Sequence, residues 1–378
     1  MKWSFKLGTI AGIELRIHIT FLLLLGWVGA SHWRSGKGVD AVLGGMGFIL
    51  ALFGCVLLHE LGHSLAARRY GIQTRDITLL PIGGVARLER MPEKPGQELW
   101  VALAGPAVNV AISAALFLWL NLTHGWAPLG QLSVAGGPMV ERLLIANAWL
   151  VIFNLIPAFP MDGGRVLRAL LASRMEYVRA TQIAAGVGQG LAFVFGFIGL
   201  FGNPMLMFIA LFVWIGASQE ATATQTKAAI AGTPVRAAML TDFRHLENAD
   251  TLADAARLIL QGSQHDFPVV EQRRVIGILT RSDLLLALAE HGQDYPVTAT
   301  MRREFQTTDY SEMLEAAFQR LQECECHTMP VVQEGRLVGL LTMDNLGEYL
   351  MIQAAKKKSD TRSGMATGPA GRGTARIP

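Results

Sequence analysis

Charge is what this chain lacks. Asp, Glu, Lys and Arg make up 17% of its 378 residues, where soluble domains average about 25%. The shortage falls mainly on the first 220 residues, so that stretch does not read as an ordinary soluble domain. Lys and Arg are scattered rather than striped, and the net charge is only +3. This leaves no basic surface for nucleic acid, and no nucleic-acid partner is expected. Cysteine is nearly absent too, with only Cys55, Cys324 and Cys326. One sits in an apolar run and the other two are a single residue apart, with no second pair. A disulfide framework is therefore excluded, a zinc knuckle is poorly served, and free thiols in a reducing compartment are expected. No cleavable signal peptide is evident: the first apolar run, Ile17 to Trp33, is long for one and lacks a clear A-x-A site.

What is present is a series of long uncharged runs. Ile17–Trp33 reads as a first span and Ala41–Leu58 as a second. Leu99–Thr123 and Leu143–Met161 hold the third and fourth. Residues 180–219 are long enough for two more, divided at Phe201-Gly-Asn-Pro204 by turn-forming residues. The expectation is a multi-pass α-helical membrane protein of about six spans, in contact with the lipid bilayer. Basic residues crowd two connections, at Arg68, Arg69, Arg75, Arg87, Arg90 and Lys94, and at Arg165, Arg168, Arg174 and Arg179. The opposite connections carry Arg34 and Lys37, then nothing from Asn121 to Met139. By the positive-inside rule, both termini face the cytoplasm.

The second run ends in His59-Glu60-Leu-Gly-His63. Two histidines four apart lie about 40° from one another around a helix, close enough to grip one metal ion. The Glu between them is placed to act as general base toward a water on that metal. The plainer alternative is a polar helix end facing water. Ionisable groups at membrane depth are costly, however, and usually functional. A catalytic zinc needs a third ligand and an open position. Asp162 is the candidate, in Asn154-Leu-Ile-Pro-Ala-Phe-Pro-Met-Asp162-Gly-Gly-Arg165, where prolines break the helix and glycines allow a tight turn. Here the alternative is a helix-ending loop whose Asp caps the helix from Arg165 onward. Asp76–Glu89 reads as two short strands turning at Gly83-Gly84, either an ordinary hairpin or an edge that holds unwound substrate by strand addition. Ala104-Gly105-Pro106 suits close helix packing, and Asn109 is either a packing hydrogen bond or a site-lining group.

HELGH and NLIPAFPMDGGR, with AGPAVN (104–109) between them, resemble the site-2 protease family of intramembrane zinc metalloproteases, over roughly Leu15 to Gln219. The resemblance implies zinc on His59, His63 and Asp162, Glu60 as catalytic base, and Asn154 near the substrate. It also implies a transmembrane protein segment as substrate. A helical substrate hides its carbonyls in i→i−4 bonds and must unwind before it is cut.

Beyond Thr233 charge rises and the chain repeats. Pro234-Val recurs as Pro296-Val, an offset of 62 residues, and His265-x-x-Pro-Val-Val and Gly277-x-Leu-Thr recur at the same offset. Each copy reads as helix, strand, turn, strand, helix. The segment resembles a tandem pair of CBS domains, an α/β module over 233–292 and 293–353 joined to residues 1–220 by a linker at 221–232. That resemblance implies an adenine nucleotide (ATP, ADP or AMP) near Thr280, Asp283 and Thr342, and a possible homodimer through the pair. Asn345 departs from the pattern, since it replaces a carboxylate with an amide. These Thr and Asp residues can equally be helix caps. The tail, 354–378, has almost no large apolar residue and is expected to be disordered. A reading of a different class is a CBS-gated divalent-ion transporter or channel. It is disfavoured because a permeation path needs neither a general base nor a proline-flanked Asp-Gly-Gly.

Overall fold

The computed structural model describes residues 3–36, 38–123, 137–324 and 326–366, with side chains through residue 356. Most of the 121–139 connection and the last twelve residues of the expected tail lie outside them. The chain divides into two units, Met1–Thr224 and Gln225–Pro378.

The first unit opens with strands rather than a helix. β1 (Ser4–Ile10) and β2 (Ile13–His18) precede helix α1 (Ile19–Arg34) and the long α2 (Gly38–Arg68). β3 (Thr74–Leu80) and β4 (Gly83–Leu88) follow. Then come α3 (Pro95–Thr123), α4 (Met139–Asn154), α5 (Asp162–Ala172), α6 (Tyr177–Phe201) and α7 (Pro204–Ile230). The strands form one sheet in the order β1-β2-β3-β4, with β2 and β3 parallel and the other neighbours antiparallel. Its apolar face buries Ile13, Leu15 and Ile77 against Leu61 of α2, and Leu79 against Phe21 and Phe53. The first 18 residues do carry strand alternation, and their turn falls at Ala11-Gly12, both at positive φ.

Helices stand in all six expected spans, and among the described residues α2, α3, α6 and α7 are long and apolar enough to cross a membrane. α1 and α4 have 16 residues each, about 24 Å at 1.5 Å per residue, short of a ~30 Å hydrocarbon core. The apolar runs overestimate both. β2 takes the start of the first, and the loop after Asn154 takes the end of the fourth. The hairpin also turns elsewhere than expected. Leu80 pairs with Gly83, so Pro81-Ile82 make the turn and the two glycines lie in β4.

In the second unit, α8 (Leu252–Gln261), β6 (Phe267–Glu271), β7 (Arg274–Leu279) and α9 (Arg281–His291) form one lobe with the short β5 (Leu246–Glu247). After α10 (Val297–Thr300) come β8 (Thr308–Asp309), α11 (Leu314–Glu323), β9 (Thr328–Gln333), β10 (Arg336–Thr342) and α12 (Met343–Ala366), which form the other. Both hairpins turn through two positive-φ residues, Gln272-Arg273 and Glu334-Gly335. The segment before each copy crosses to the opposite lobe. Val235 is buried with Leu314, Met329 and Leu341, while Val297 and Met301 are buried with Phe267, Val269 and Leu279. Leu240 bridges Leu340, and Arg302 bridges Ile278. The packed lobes therefore exchange their entry segments relative to the sequence repeat. Residues 221–230 of the expected linker are the end of α7. The tail expected to be disordered from 354 begins as helix, since α12 continues to Ala366; it starts from the buried Leu346 and runs into Ala and Lys, both good helix formers.

The exchange has a measurable consequence. Val297→Ala removes a fully buried side chain at a cost of about 2 kcal/mol. Although Val297 lies in the second copy, hydrogen exchange is expected to accelerate in β6 and β7 of the first, with β9 and β10 unchanged.

Candidate metal centre

α2 carries His59 and His63 one turn apart, and α5 brings Asp162 to them. His59 Nε2 and His63 Nε2 are 3.1 Å apart. Asp162 Oδ2 is 3.2 Å from the first and 3.0 Å from the second. All three residues are buried. A tetrahedral zinc with ~2.0–2.1 Å bonds has ligand–ligand edges of about 3.3 Å, so this near-equilateral donor triangle fits the ion. Among the described residues this is the group of three or more His, Cys, Asp or Glu side chains close enough to share a metal.

The outer nitrogens of both rings are also engaged, and this fixes their chemistry. His63 Nδ1 lies 2.7 Å from the carbonyl of Val101. A carbonyl only accepts, so Nδ1 carries the proton and Nε2 presents its lone pair. His59 reaches the same state through a relay. Asn147 Nδ2 donates to the Leu143 carbonyl at 2.8 Å, which leaves its Oδ1 to accept from Asn109 Nδ2 at 2.9 Å. Asn109 Oδ1 then accepts from His59 Nδ1 at 2.6 Å. The orientation of two amides and one imidazole is thus set by a single backbone carbonyl. Asn109 and Asn147 are both fully buried.

Glycines admit this geometry. A Cβ at Gly105 would overlap the His63 ring, and one at Gly62 would lie 2.8 Å from the Ala104 carbonyl oxygen. α2 and α3 therefore meet backbone to backbone beside the two histidines. Gly163 and Gly164 are helical residues of α5, and neither has positive φ. They are needed for a different reason from the expected tight turn. A Cβ at either would strike the backbone of the loop, at Leu155-Ile156 and at Ala158-Phe159. α5 begins at Asp162 itself, not at Arg165.

Glu60 makes no hydrogen bond or ion pair among the described residues, and its side chain lies against β4. A Cβ on Gly84 would come within 2.7 Å of Glu60 Cγ and 3.4 Å of its Oε1. Asn154 ends α4, one residue before the backbone that packs on Gly163. It is half-buried, and its amide bonds to no described residue.

In the second unit the expected residues act as caps. Thr280 accepts from the Asp283 amide at 3.2 Å and donates to Asp283 Oδ2 at 2.7 Å. Arg302 donates to both oxygens of Asp283, at 2.6 and 3.1 Å, which holds that carboxyl below the usual Asp range. Thr342 accepts from the Asn345 amide at 3.1 Å. Asn345 donates to the Ala238 carbonyl at 2.8 Å, because Leu240 stands at the repeat position that Arg302 occupies in the other lobe. With no cation to meet, an amide replaces the carboxylate.

Sequence reasoning missed Asn147, although an amide within the apolar run 143–161 is the kind of intramembrane polar residue that marks a site. It also missed the pairing of Glu98, Arg168 and Glu220, because Arg168 was counted among the loop charges that set orientation. That side chain is buried between two glutamates. Asn109→Ala or Asn147→Leu is expected to weaken zinc affinity about 10–100-fold, read by competition with a chelator, while both variants keep their helix content.

Peptidase family M50 matches residues 47–131 and 137–195, and the CBS domain matches residues 235–290 and 294–351. The chain is 31% identical over 362 residues to zinc metalloprotease MJ0392 of Methanocaldococcus jannaschii, covering 95% of this chain and 99% of that one. Stage IV sporulation protein FB of Bacillus subtilis is 27% identical over 206 residues, 54% of this chain and 65% of the other. A solved site-2 protease from Methanocaldococcus jannaschii is 38% identical with a TM-score of 0.43, covering 58% of this chain and 95% of that one. The metal-fitting His59, His63 and Asp162 fall within the matched region, and a repeated module follows it: the chain belongs to peptidase family M50, the site-2 proteases, and carries a tandem pair of CBS domains.

Proposed function

We propose that this membrane zinc metalloprotease cuts transmembrane segments at His59, His63 and Asp162, with Glu60 as the general base. The observation that carries this reading is the donor triangle, with both outer ring nitrogens tied to acceptors so that both inner lone pairs converge. Bound there, zinc supplies a Lewis acid for the scissile carbonyl and acidifies a water. Glu60 takes the water's proton and delivers it to the leaving amine. Its carboxylate suits this work because no described residue holds it in a hydrogen bond.

Substrate must arrive extended. β4 is the edge of its sheet, and Gly84 in β4 abuts Glu60. A substrate strand added to that edge lies beside the base, and the Asn154 amide is available to its backbone. Loop charges other than the buried Arg168 support termini and CBS pair on the cytoplasmic side. The nucleotide reading rests on Thr280 and Asp283, where Arg302 adds a cation suited to phosphate. The Asn345 side offers neither charge, and Thr342 there serves as a cap. Exposed Leu285 and Leu286 on α9 support a homodimer through the pair. The transporter reading has no comparable support, since the relative matched over nearly the whole chain is named a zinc metalloprotease.

Glu60→Gln is expected to abolish cleavage of a transmembrane peptide while zinc content stays at one ion per chain. His59→Ala, His63→Ala or Asp162→Ala loses both. Cleavage at the wild-type rate by zinc-loaded Glu60→Gln protein refutes the mechanism. In the same assay Gly84→Val lowers kcat at least about tenfold by displacing Glu60, with zinc retained.

Calorimetry on the full chain is expected to show binding of ATP, ADP or AMP that Asp283→Ala weakens. No heat at millimolar nucleotide reduces the pair to a structural or dimerising role. Orientation is checked by an impermeant thiol reagent applied outside, which should label a cysteine placed at Gln131 and spare one at Gln293.

A further inference from the structure

Arg168 lies six residues beyond Asp162 on α5 and is 1% exposed. Its Nε donates to Glu98 Oε1 at 2.7 Å, and its Nη2 meets the same oxygen at 2.5 Å. Its Nη1 donates to Glu220 Oε1 at 2.5 Å. The guanidinium carbon stands 5.0 Å from the ring centroids of both Phe159 and Tyr177. Burying a guanidinium is costly unless its partners hold it well, so this cluster must have a use.

Its three helices supply one. Glu98 is on α3, whose Val101 carbonyl and Asn109 orient His63 and His59. Arg168 is on α5, whose first residue is Asp162. Glu220 is on α7, which runs unbroken from there to Ile230, about 15 Å of helix, and Ile230 is buried in the core of the second unit. The two carboxylates differ. Glu98 is 1% exposed, whereas the Glu220 side chain is 32% exposed, so Glu220 is the arm that water can release. Glu98 engages through Oε1 alone, short of the two-oxygen fork that Arg and a carboxylate favour. Without Glu220, the carboxylate contacts of the guanidinium reduce to Glu98 Oε1.

We propose that Arg168 is a positioning residue for the zinc site, and that Glu220 is the releasable contact through which the end of α7 acts on Asp162. This rests on the protease reading and names residues that set the position of its metal-binding helix. The full zinc-loaded chain tests it with two readouts, the rate of zinc transfer to a colorimetric chelator and the kcat and KM on a transmembrane peptide. Glu220→Gln is expected to speed zinc transfer roughly three- to tenfold and to lower kcat with KM unchanged, and Glu220→Asp to restore both. Arg168→Gln is expected to speed transfer by about tenfold or more, and the double variant to be no worse than Arg168→Gln alone.

Wild-type zinc transfer and kcat in Glu220→Gln, or a fall in thermal midpoint alone, overturns the proposal. So do multiplicative effects in the double variant, since independent residues add in free energy. If Arg168→Gln does not fold, the comparison of Gln with Asp at 220 decides. Zinc held with normal kinetics by a chain that cuts no peptide removes the protease reading and leaves zinc transfer to judge Arg168.

Discussion

Two imidazole nitrogens and a carboxylate oxygen, each about 3 Å from the others and all buried, are an unfavourable assembly unless a cation joins them. That convergence is what the rest of the first unit serves. Lone pairs aimed at one point repel, and burial removes the water that would separate them. The Val101 carbonyl and the Asn109–Asn147–Leu143 relay hold the rings in the one tautomer that points both lone pairs inward. The arrangement is held by groups outside the donor triangle.

Close helix approach is the second requirement, and it explains where glycine stands. Gly62 and Gly105 bring α2 against α3, while Gly163 and Gly164 let the Pro157–Pro160 loop lie on α5. These positions have ordinary helical φ, so their demand is for space and not for an unusual turn. Gly84 makes the same demand on β4, where it lets a sheet edge reach Glu60. Small buried residues on α6 and α7, among them Ala184, Ala192 and Ala217, pack by the same rule, which membranes favour because lipid gives helices no hydrophobic reason to associate.

The second unit shows how a repeat is altered by its own exchange of segments. Residue 302 of the second copy is delivered to the first lobe, where Arg302 meets Asp283. Residue 240, delivered the other way, is Leu240, and Asn345 replaces the carboxylate. The amide that departs from the binding motif when read alone finds, in the fold, a neutral carbonyl partner at Ala238 where Asp283 has Arg302.

Much of this was legible in the chain. HELGH gave two donors because helix periodicity alone puts residues four apart on one face. Asp162 was legible from its setting, an acid after prolines at the end of an apolar run. The 62-residue offset gave the lobes, their hairpins and their Thr caps. Span lengths were less legible, because apolarity does not distinguish a helix from strand β2 or from the loop after Asn154. What the sequence determined were periodic, local properties, fixed by bond geometry within a few residues. Tertiary structure alone decided that Asn147 orients His59, that Gly84 faces Glu60, that Val297 stabilises the first lobe, and that Arg168 is buried between α3 and α7. Each depends on residues 18 or more positions apart, and only the packing of whole elements brings such groups within hydrogen-bond or van der Waals reach.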